Sequence, residues 1–158
     1  MAEHTSTQEI TPTLEEVVRR RADLYRAILA LERAAARPAV GREEEWVLGV
    51  VEALDEVGSE IVDHVEITER HDGLYDEIVD AAPRLSHNVQ LLRSEHPEMQ
   101  EATAALRTRL ETMPFETPEQ VAEARDGIQH LLGLLVKHRQ RGADLLWEAY
   151  SLDTGGAE

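Results

Sequence analysis

Apolar residues recur at the spacing of an α-helix in four long segments, and this period admits only a helical fold. In the first segment Leu14, Leu24 and Leu31 fall on one helix face, which is typical of an amphipathic helix packed against a core. Three further long segments and one short amphipathic piece lie at about 43–69, 85–110, 121–149 and 74–82. Alanine, leucine, glutamate and arginine, which are abundant here, also favour helix. We therefore expect an all-α protein.

Residues at the segment ends predict where the helices begin and end. Thr13 and Glu16 have the spacing of a capping box, in which the side chains satisfy free backbone N–H groups of the first turn. The first helix should end before Pro38, because the residue preceding a proline is pushed out of the α region. Thr117 and Gln120, with a proline between them, predict the start of the last helix.

The length of 158 residues fits a single domain. Four long helices joined by short connections pack most simply as an up-down-up-down four-helix bundle, because short loops force neighbouring helices to run antiparallel. We assign the bundle to residues 13–152, with disordered tails at 1–12 and 153–158.

The composition argues against several classes of function. Acidic side chains outnumber basic ones by 32 to 16, and the net charge is −16, so binding to nucleic acid or to an anionic membrane is not expected. The chain has no cysteine, which removes disulfides, thiolate zinc sites and cysteine nucleophiles. It lacks a glycine-rich phosphate loop and a Gly-x-Ser-x-Gly elbow. We therefore do not expect the protein to be an enzyme. No signal peptide or membrane span is indicated, so a cytoplasmic protein is expected.

Three of the apolar stripes are interrupted by a histidine. Continuing the inward face of each helix places His64, His96 and His138 toward the core, and the same step on the first helix reaches Arg21. A rise of about 1.5 Å per residue allows all four side chains to share one layer of the bundle. Three converging histidines are a metal-site geometry, since neutral imidazole suits iron, zinc, copper and nickel alike.

Three short stretches also resemble a known family: Asp63-His64-Val65-Glu66 continuing to His71, Ser94-Glu95-His96, and Val136-Lys137-His138. Over about residues 14–152 they resemble the hemerythrin-like, or HHE cation-binding, domain. The resemblance implies a bundle in which five histidines and two bridging carboxylates hold a di-iron centre that binds oxygen. It therefore implies iron as the cofactor and a small diatomic molecule as the ligand.

Only part of that ligand set carries over to this chain. His64, His96 and His138 match the leading histidines of the family, and Glu69 and Glu101 are the only carboxylates at the companion positions. We predict a bundle that binds a metal ion, iron by the resemblance, or one that has lost its metal. In either case its function would be sensing, storage or stress response. Its reduced ligand set is His64, His96, His138 and Glu69.

Arg21 stands where the family places the ligand of the first helix. Its guanidinium stays protonated and would repel metal cations in a low-dielectric interior. By bridging Glu69 or another carboxylate, it could instead supply the positive charge of a metal. A metal-free core network of the three histidines, Arg21 and Tyr25 therefore stays open.

Two further positions bear on the site. His71 lies seven residues after His64 on the same helical line, which makes it a candidate additional ligand. Gly142 lies on the inward stripe of the last helix, where glycine costs about 1 kcal/mol against alanine. It indicates a close approach by another helix or by a group bound beside His138.

Two other function classes are left open. A metal-free helical module would bind a protein partner or a second copy of the chain through an exposed apolar patch around Trp46, Trp147 and Tyr150. A mononuclear three-histidine enzyme would resemble the DinB-like thiol transferases, which are also four-helix bundles. Those enzymes place two histidines four residues apart on one helix, and no pair here has that spacing.

Overall fold

In a computed structural model, which describes residues 10–151, the chain is helical throughout and these residues form no strand. Four long helices and one short helix follow each other, with a single 3₁₀ turn at Pro83–Leu85. They are α1 (Pro12–Ala36), α2 (Glu43–Glu69), α3 (Leu74–Ala81), α4 (Ser86–Thr112) and α5 (Pro118–Tyr150). The expected all-α class is confirmed. The predicted tails fall largely at residues 1–9 and 152–158, outside the described residues.

The helix ends agree with the sequence signals at all but one position. The capping box of Thr117 and Gln120 begins α5, and α1 ends at Ala36. The start of α1 differs, because the Thr11 hydroxyl accepts the N–H of Leu14 at 3.1 Å. The predicted cap at Thr13 is therefore wrong. The proline at position 12 explains it, since a proline in the first helical position has no N–H to satisfy and a φ already set for helix.

Neighbouring long helices run antiparallel. Between α1 and α2, Trp46 Nε1 donates to the carbonyl of Ala35, and Arg20 bonds Asp63 at 3.3 Å. Residue numbers therefore increase along one helix while those of the contacting residues decrease along the other. The other three neighbouring pairs show the same relation through the contacts Asp55–Arg107 and Glu69–Arg93, Glu123–Arg109 and Arg141–Glu95, and Arg125–Ala35 and Arg21–Arg139. The four long helices therefore form an up-down-up-down ring around a shared core.

The apolar core is divided into two clusters. Leu54, Ile61 and Ile128 are fully buried in the larger cluster. The second cluster, which includes Ile67 and Leu146, fills the end that α3 covers. On each long helix, one buried polar residue falls between members of the two clusters. These residues are Arg21, His64, His96 and His138.

The predicted apolar patch is not formed at Trp46. That indole is 3% exposed and packs edge-on against Phe115. Trp147 is 57% exposed, so it alone of the two tryptophans is accessible. None of the helices in the described range combines the length and the apolar composition needed to cross a lipid bilayer.

Candidate metal centre

Three histidines from three different helices meet in the layer between the two apolar clusters. His64 on α2, His96 on α4 and His138 on α5 are each at most 4% exposed. Their ring centroids lie 5.1, 5.2 and 4.9 Å apart. One ring nitrogen from each histidine lies within 4.8 Å of the other two. The predicted convergence is confirmed, and the three side chains are close enough to bind a metal ion.

Glu95 contacts Nδ1 of the His138 ring. Its Oε1 lies 3.0 Å from Nδ1 of His138, and its other oxygen pairs with Arg141. A histidine that ligates a metal usually donates its second ring N–H to such a carboxylate, which fixes the tautomer and the ring orientation. With the proton at Nδ1, the lone pair of His138 is at Nε2 and points into the layer.

Glu69 lies behind His96, but Nδ1 of His96 forms no hydrogen bond with it or with any other described residue. Its Oε2 lies 3.2 Å from Nδ1 of His96, and its Oε1 lies 3.4 Å from Nη1 of Arg93. This position is behind the ring, whereas the sequence analysis expected Glu69 to be a ligand beside the histidines. Its place as a ligand stays a prediction, and the group of three that could hold an ion does not include it.

Two buried hydroxyl groups complete the polar layer, and sequence reasoning missed both. The Tyr75 hydroxyl lies 3.3 Å from Nε2 of His96, and the two rings are stacked 16° from parallel. Thr68 donates to the backbone carbonyl of His64 at 2.7 Å. No local sequence pattern indicates Tyr75, because this side chain reaches the layer only when α3 packs over the end of the bundle. Glu95 had a visible signal, since it directly precedes His96 on α4.

Two of the imidazoles are in direct hydrogen-bond contact. Nε2 of His64 lies 3.0 Å from Nε2 of His138, while the buried Nδ1 of His64 has no hydrogen-bond partner in the described chain. Since His138 keeps its proton at Nδ1, one arrangement has His64 donate from Nε2, and its Nδ1 lone pair is then buried unpaired. In the other arrangement both Nε2 lone pairs face the same space, which suits a cation between them, and the Nδ1–H of His64 is buried without an acceptor.

The environment keeps the three rings neutral. Burial holds the pKa of His64 well below its ordinary value, and the charges of His138, His96 and Arg21 lower it further. Burial lowers the pKa of His138 to about 3, with His96 and Arg21 adding to the effect. Burial also lowers the pKa of His96, which Glu69 partly opposes. Neutral imidazole is the form that binds metal.

Arg21 is buried in this layer, as predicted, but it does not bridge to Glu69. Its Nη2 donates to the backbone carbonyl of Arg139 at 3.1 Å, and its Nε has no partner among the described residues. Glu69 is occupied by His96 and Arg93, so the predicted bridge is wrong. A Cβ at Gly142 would lie 2.6 Å from Nη1 of Arg21. The close approach that this glycine indicated is therefore the approach of the Arg21 guanidinium.

A small cavity of about 10 Å³ opens beside the histidines. Its polar wall consists of Arg21, His64, Thr68, Tyr75 and His138, and the remaining wall is largely aliphatic. This volume is about what one water molecule requires. The layer thus offers room for one very small ligand next to the ring nitrogens.

Two other candidates lie away from the three histidines. The side chain of His71 is 91% exposed and stands beside Asp72 and Asp76 at the turn before α3. Tyr25 lies under the guanidinium of Arg139, with 4.4 Å between Cζ and the ring centre. Among the described residues, neither forms a hydrogen bond or a ring pair with the three histidines.

Comparison of the chain with protein-family models, with curated proteins and with solved structures finds no match.

Proposed function

We propose that this bundle binds one transition-metal ion through His64, His96 and His138. The observation that carries the proposal is the pairing of convergent ring nitrogens with carboxylates behind two of the rings. Glu95 accepts a hydrogen bond from Nδ1 of His138, so that ring presents Nε2 to the layer, and Glu69 lies 3.2 Å from Nδ1 of His96. Such outer carboxylates are typical of histidines that ligate metals. Iron, zinc, copper and nickel all accept imidazole, and iron is the metal that the hemerythrin-like resemblance favours.

The donor set fits one ion better than two. In the described chain the nearby carboxylates stand behind the rings, where neither can bridge two metals. The buried guanidinium of Arg21 adds a positive charge to the same layer, and a second metal cation would raise the repulsion in a low-dielectric interior. The hemerythrin-like character is therefore proposed with a mononuclear, reduced ligand set.

A three-histidine site leaves a position open for a further ligand. The small cavity places that position beside Tyr75, Thr68 and Arg21. When bound, the metal would supply a Lewis-acidic centre for a water molecule or a diatomic ligand. The Tyr75 hydroxyl and the Arg21 guanidinium would donate hydrogen bonds to that ligand, whereas the Thr68 hydroxyl already donates to the carbonyl of His64. Sensing, storage or stress response through such a site is the function proposed.

A metal-free polar core is the second candidate. The 3.0 Å separation between Nε2 of His64 and Nε2 of His138 is a normal hydrogen-bond length. It supports a neutral imidazole pair that needs no ion. This arrangement leaves Nδ1 of His64 buried and without a partner, which is costly in an apolar interior. The same Nδ1 also lacks a partner in the metal-bound form, so the metal is favoured instead by the convergence of three ring nitrogens with a carboxylate behind His138.

Metal titration with matched histidine variants tests the proposal. Protein freed of metal with a chelator is titrated with Zn²⁺, Co²⁺ and, without oxygen, Fe²⁺, and bound metal is counted after dialysis. We expect one ion per chain for the unmodified protein and loss of binding in His138→Gln and His96→Gln. His87→Gln and His130→Gln remove exposed histidines of the same two helices and should bind as the unmodified protein does.

Circular dichroism of each variant shows whether the helices are retained. Absence of binding for all three metals in folded, unmodified protein would contradict the metal proposal and favour the polar core. Equal binding by His138→Gln and by His130→Gln would also contradict it, because the ion would then lie elsewhere on the acidic surface.

A further inference from the structure

Two neighbouring arginines, Arg21 on α1 and Arg139 on α5, have no acidic partner. Arg21 is 6% exposed, and Arg139 is half-buried with its guanidinium over the ring of Tyr25. Among residues 10–151, neither guanidinium forms an ion pair, although eight other arginines do so. The only hydrogen bond between the two residues runs from Arg21 to the backbone of Arg139.

This pairing is electrostatically unfavourable as it stands. Burial lowers the pKa of Arg21 to about 10, and the charge of Arg139 lowers it further. Burial also lowers the pKa of Arg139. Both groups still carry their protons at neutral pH, so two like charges are held together in a partly dry site. With 32 acidic residues in the chain, a shortage of carboxylates does not explain why none stands here.

The two arginines line one pocket. It has a volume of about 110 Å³, between α1 and α5. Arg21, Arg139 and Gln140 form its polar wall with Tyr25, and aliphatic side chains such as Ile28 and Val136 form the rest. No acidic residue lines it. The pocket therefore presents unpaired positive charge, an amide and an aromatic face, and nothing that would repel an anion.

We propose that this pocket binds a small, flat anion with two oxygens on one edge, either an inorganic oxyanion or the carboxylate of a small organic acid. A guanidinium is a planar fork of N–H donors that matches such an edge. Arg21 and Arg139 both line the pocket, so each contributes a guanidinium to its wall. Arg21 also lines the cavity beside the histidines, so the bound anion would lie one side chain away from that layer.

The site is independent of the metal, because none of the three histidines lines the pocket. Its test therefore uses metal-free protein. Isothermal titration calorimetry with sodium nitrate probes inorganic oxyanions, and sodium acetate probes carboxylates. Sodium chloride, which lacks an oxygen edge, keeps the ionic strength constant. We expect saturable binding of one anion per chain for at least one of the two probes.

Arg139→Gln is the main variant, and Arg33→Gln is its matched control. Arg33 is exposed on α1 and does not line the pocket, and its change removes the same charge. Losing the hydrogen bonds of one charged group should weaken binding about tenfold or more in Arg139→Gln. Arg33→Gln should bind as the unmodified protein does. If Arg139→Gln does not fold, Arg139→Lys, which keeps the charge but not the fork, should still bind more weakly.

Three results would overturn the proposal. One is the absence of saturable binding for both nitrate and acetate in the unmodified protein. Another is an equal loss of affinity in Arg139→Gln and Arg33→Gln, which would indicate a general charge effect. The third is unmodified affinity in Arg139→Lys where Arg139→Gln cannot be measured. None of these results depends on whether the histidines bind a metal.

Discussion

Nε2 of His64 and Nε2 of His138 lie 3.0 Å apart inside the bundle, between two apolar clusters. At that distance both rings cannot be protonated without strong repulsion, and burial already lowers the pKa of each. The layer therefore favours the neutral form of the imidazole rings. This state has a consequence for stability in acid as well as for metal binding.

Metal-free protein should lose stability as the pH falls below about 6.5, the pKa of a histidine in the unfolded chain. Since the folded-state pKa values are lowered, the unfolded chain takes up protons first. The stability due to the neutral rings is complete above that pH and is lost on the way down to about pH 3, the pKa of folded His138. Each histidine that stays neutral in the folded state should contribute a slope of up to about 1.4 kcal/mol per pH unit.

Urea unfolding between about pH 6.5 and about pH 5 measures this slope above the ordinary range of carboxylates. His138→Gln should show a shallower slope than His130→Gln, which changes an exposed residue. The comparison also removes the general effect of titrating a highly acidic protein. A free energy of unfolding that does not change over this range would show that the folded rings take up protons at the same pH as those of the unfolded chain.

Gly142→Ala should destabilise the protein, although alanine is the better helix former. A Cβ there would lie 2.6 Å from Nη1 of Arg21, and that guanidinium is confined by burial. Gly133→Ala on the same helix meets nothing within 4 Å and should stabilise by about 0.5–1 kcal/mol. Thermal unfolding compares the two. In an Arg21→Met background, Gly142→Ala should no longer destabilise, and a persistent cost there would mean that something other than Arg21 needs the glycine.

Glu95→Gln should weaken metal binding without preventing folding. The carboxylate that accepts from Nδ1 of His138 at 3.0 Å is replaced by a neutral amide, and loss of such outer partners typically costs about 10–100-fold in metal affinity. Competition titration with Zn²⁺ and a coloured chelator gives the affinity. Glu98→Gln, on the exposed side of the same helix, should leave it unchanged. Similar affinities for the two variants would argue that Glu95 serves only its ion pair with Arg141.

Thr117→Ala should cost about 1 kcal/mol of stability, because the Thr117 hydroxyl accepts the N–H of Gln120 at the start of α5. Thr108→Ala is the matched change, since the Thr108 hydroxyl only bonds a carbonyl within its own exposed turn. Chemical denaturation should place the midpoint of Thr117→Ala clearly lower than that of Thr108→Ala. Equal midpoints would indicate that the first turn of α5 is held by packing alone.

Helix positions were predictable because their signals are local. The capping box at Thr117 and the proline after Arg37 act within a few residues, and the structure has both. The predicted start of α1 was wrong because a threonine lies on each side of Pro12. Which of the two caps the helix depends on the N–H that the proline removes. The inward direction of the three histidines followed from the helical period, which needs no knowledge of the partner helices.

The surroundings of the histidines were less predictable because they depend on how separate helices dock. Tyr75 reaches His96 from α3, and the distance in sequence is 21 residues. Arg21 was expected to meet a carboxylate, since an opposite charge is the simplest partner. It instead lies against a backbone carbonyl in a space that Gly142 opens. That outcome depends on the close packing of α1 and α5, which no single helix reveals.

The contacting histidines of the layer stand 74 residues apart in the chain, and each of the three belongs to a different helix. An unfolded chain holds no two of them together, so an ion that needs all three binds only the assembled bundle. Binding to the native state alone stabilises it by mass action, about 2.7 kcal/mol at a hundredfold excess over Kd. Metal supply in a cell would then govern how long each copy of the chain survives proteolysis.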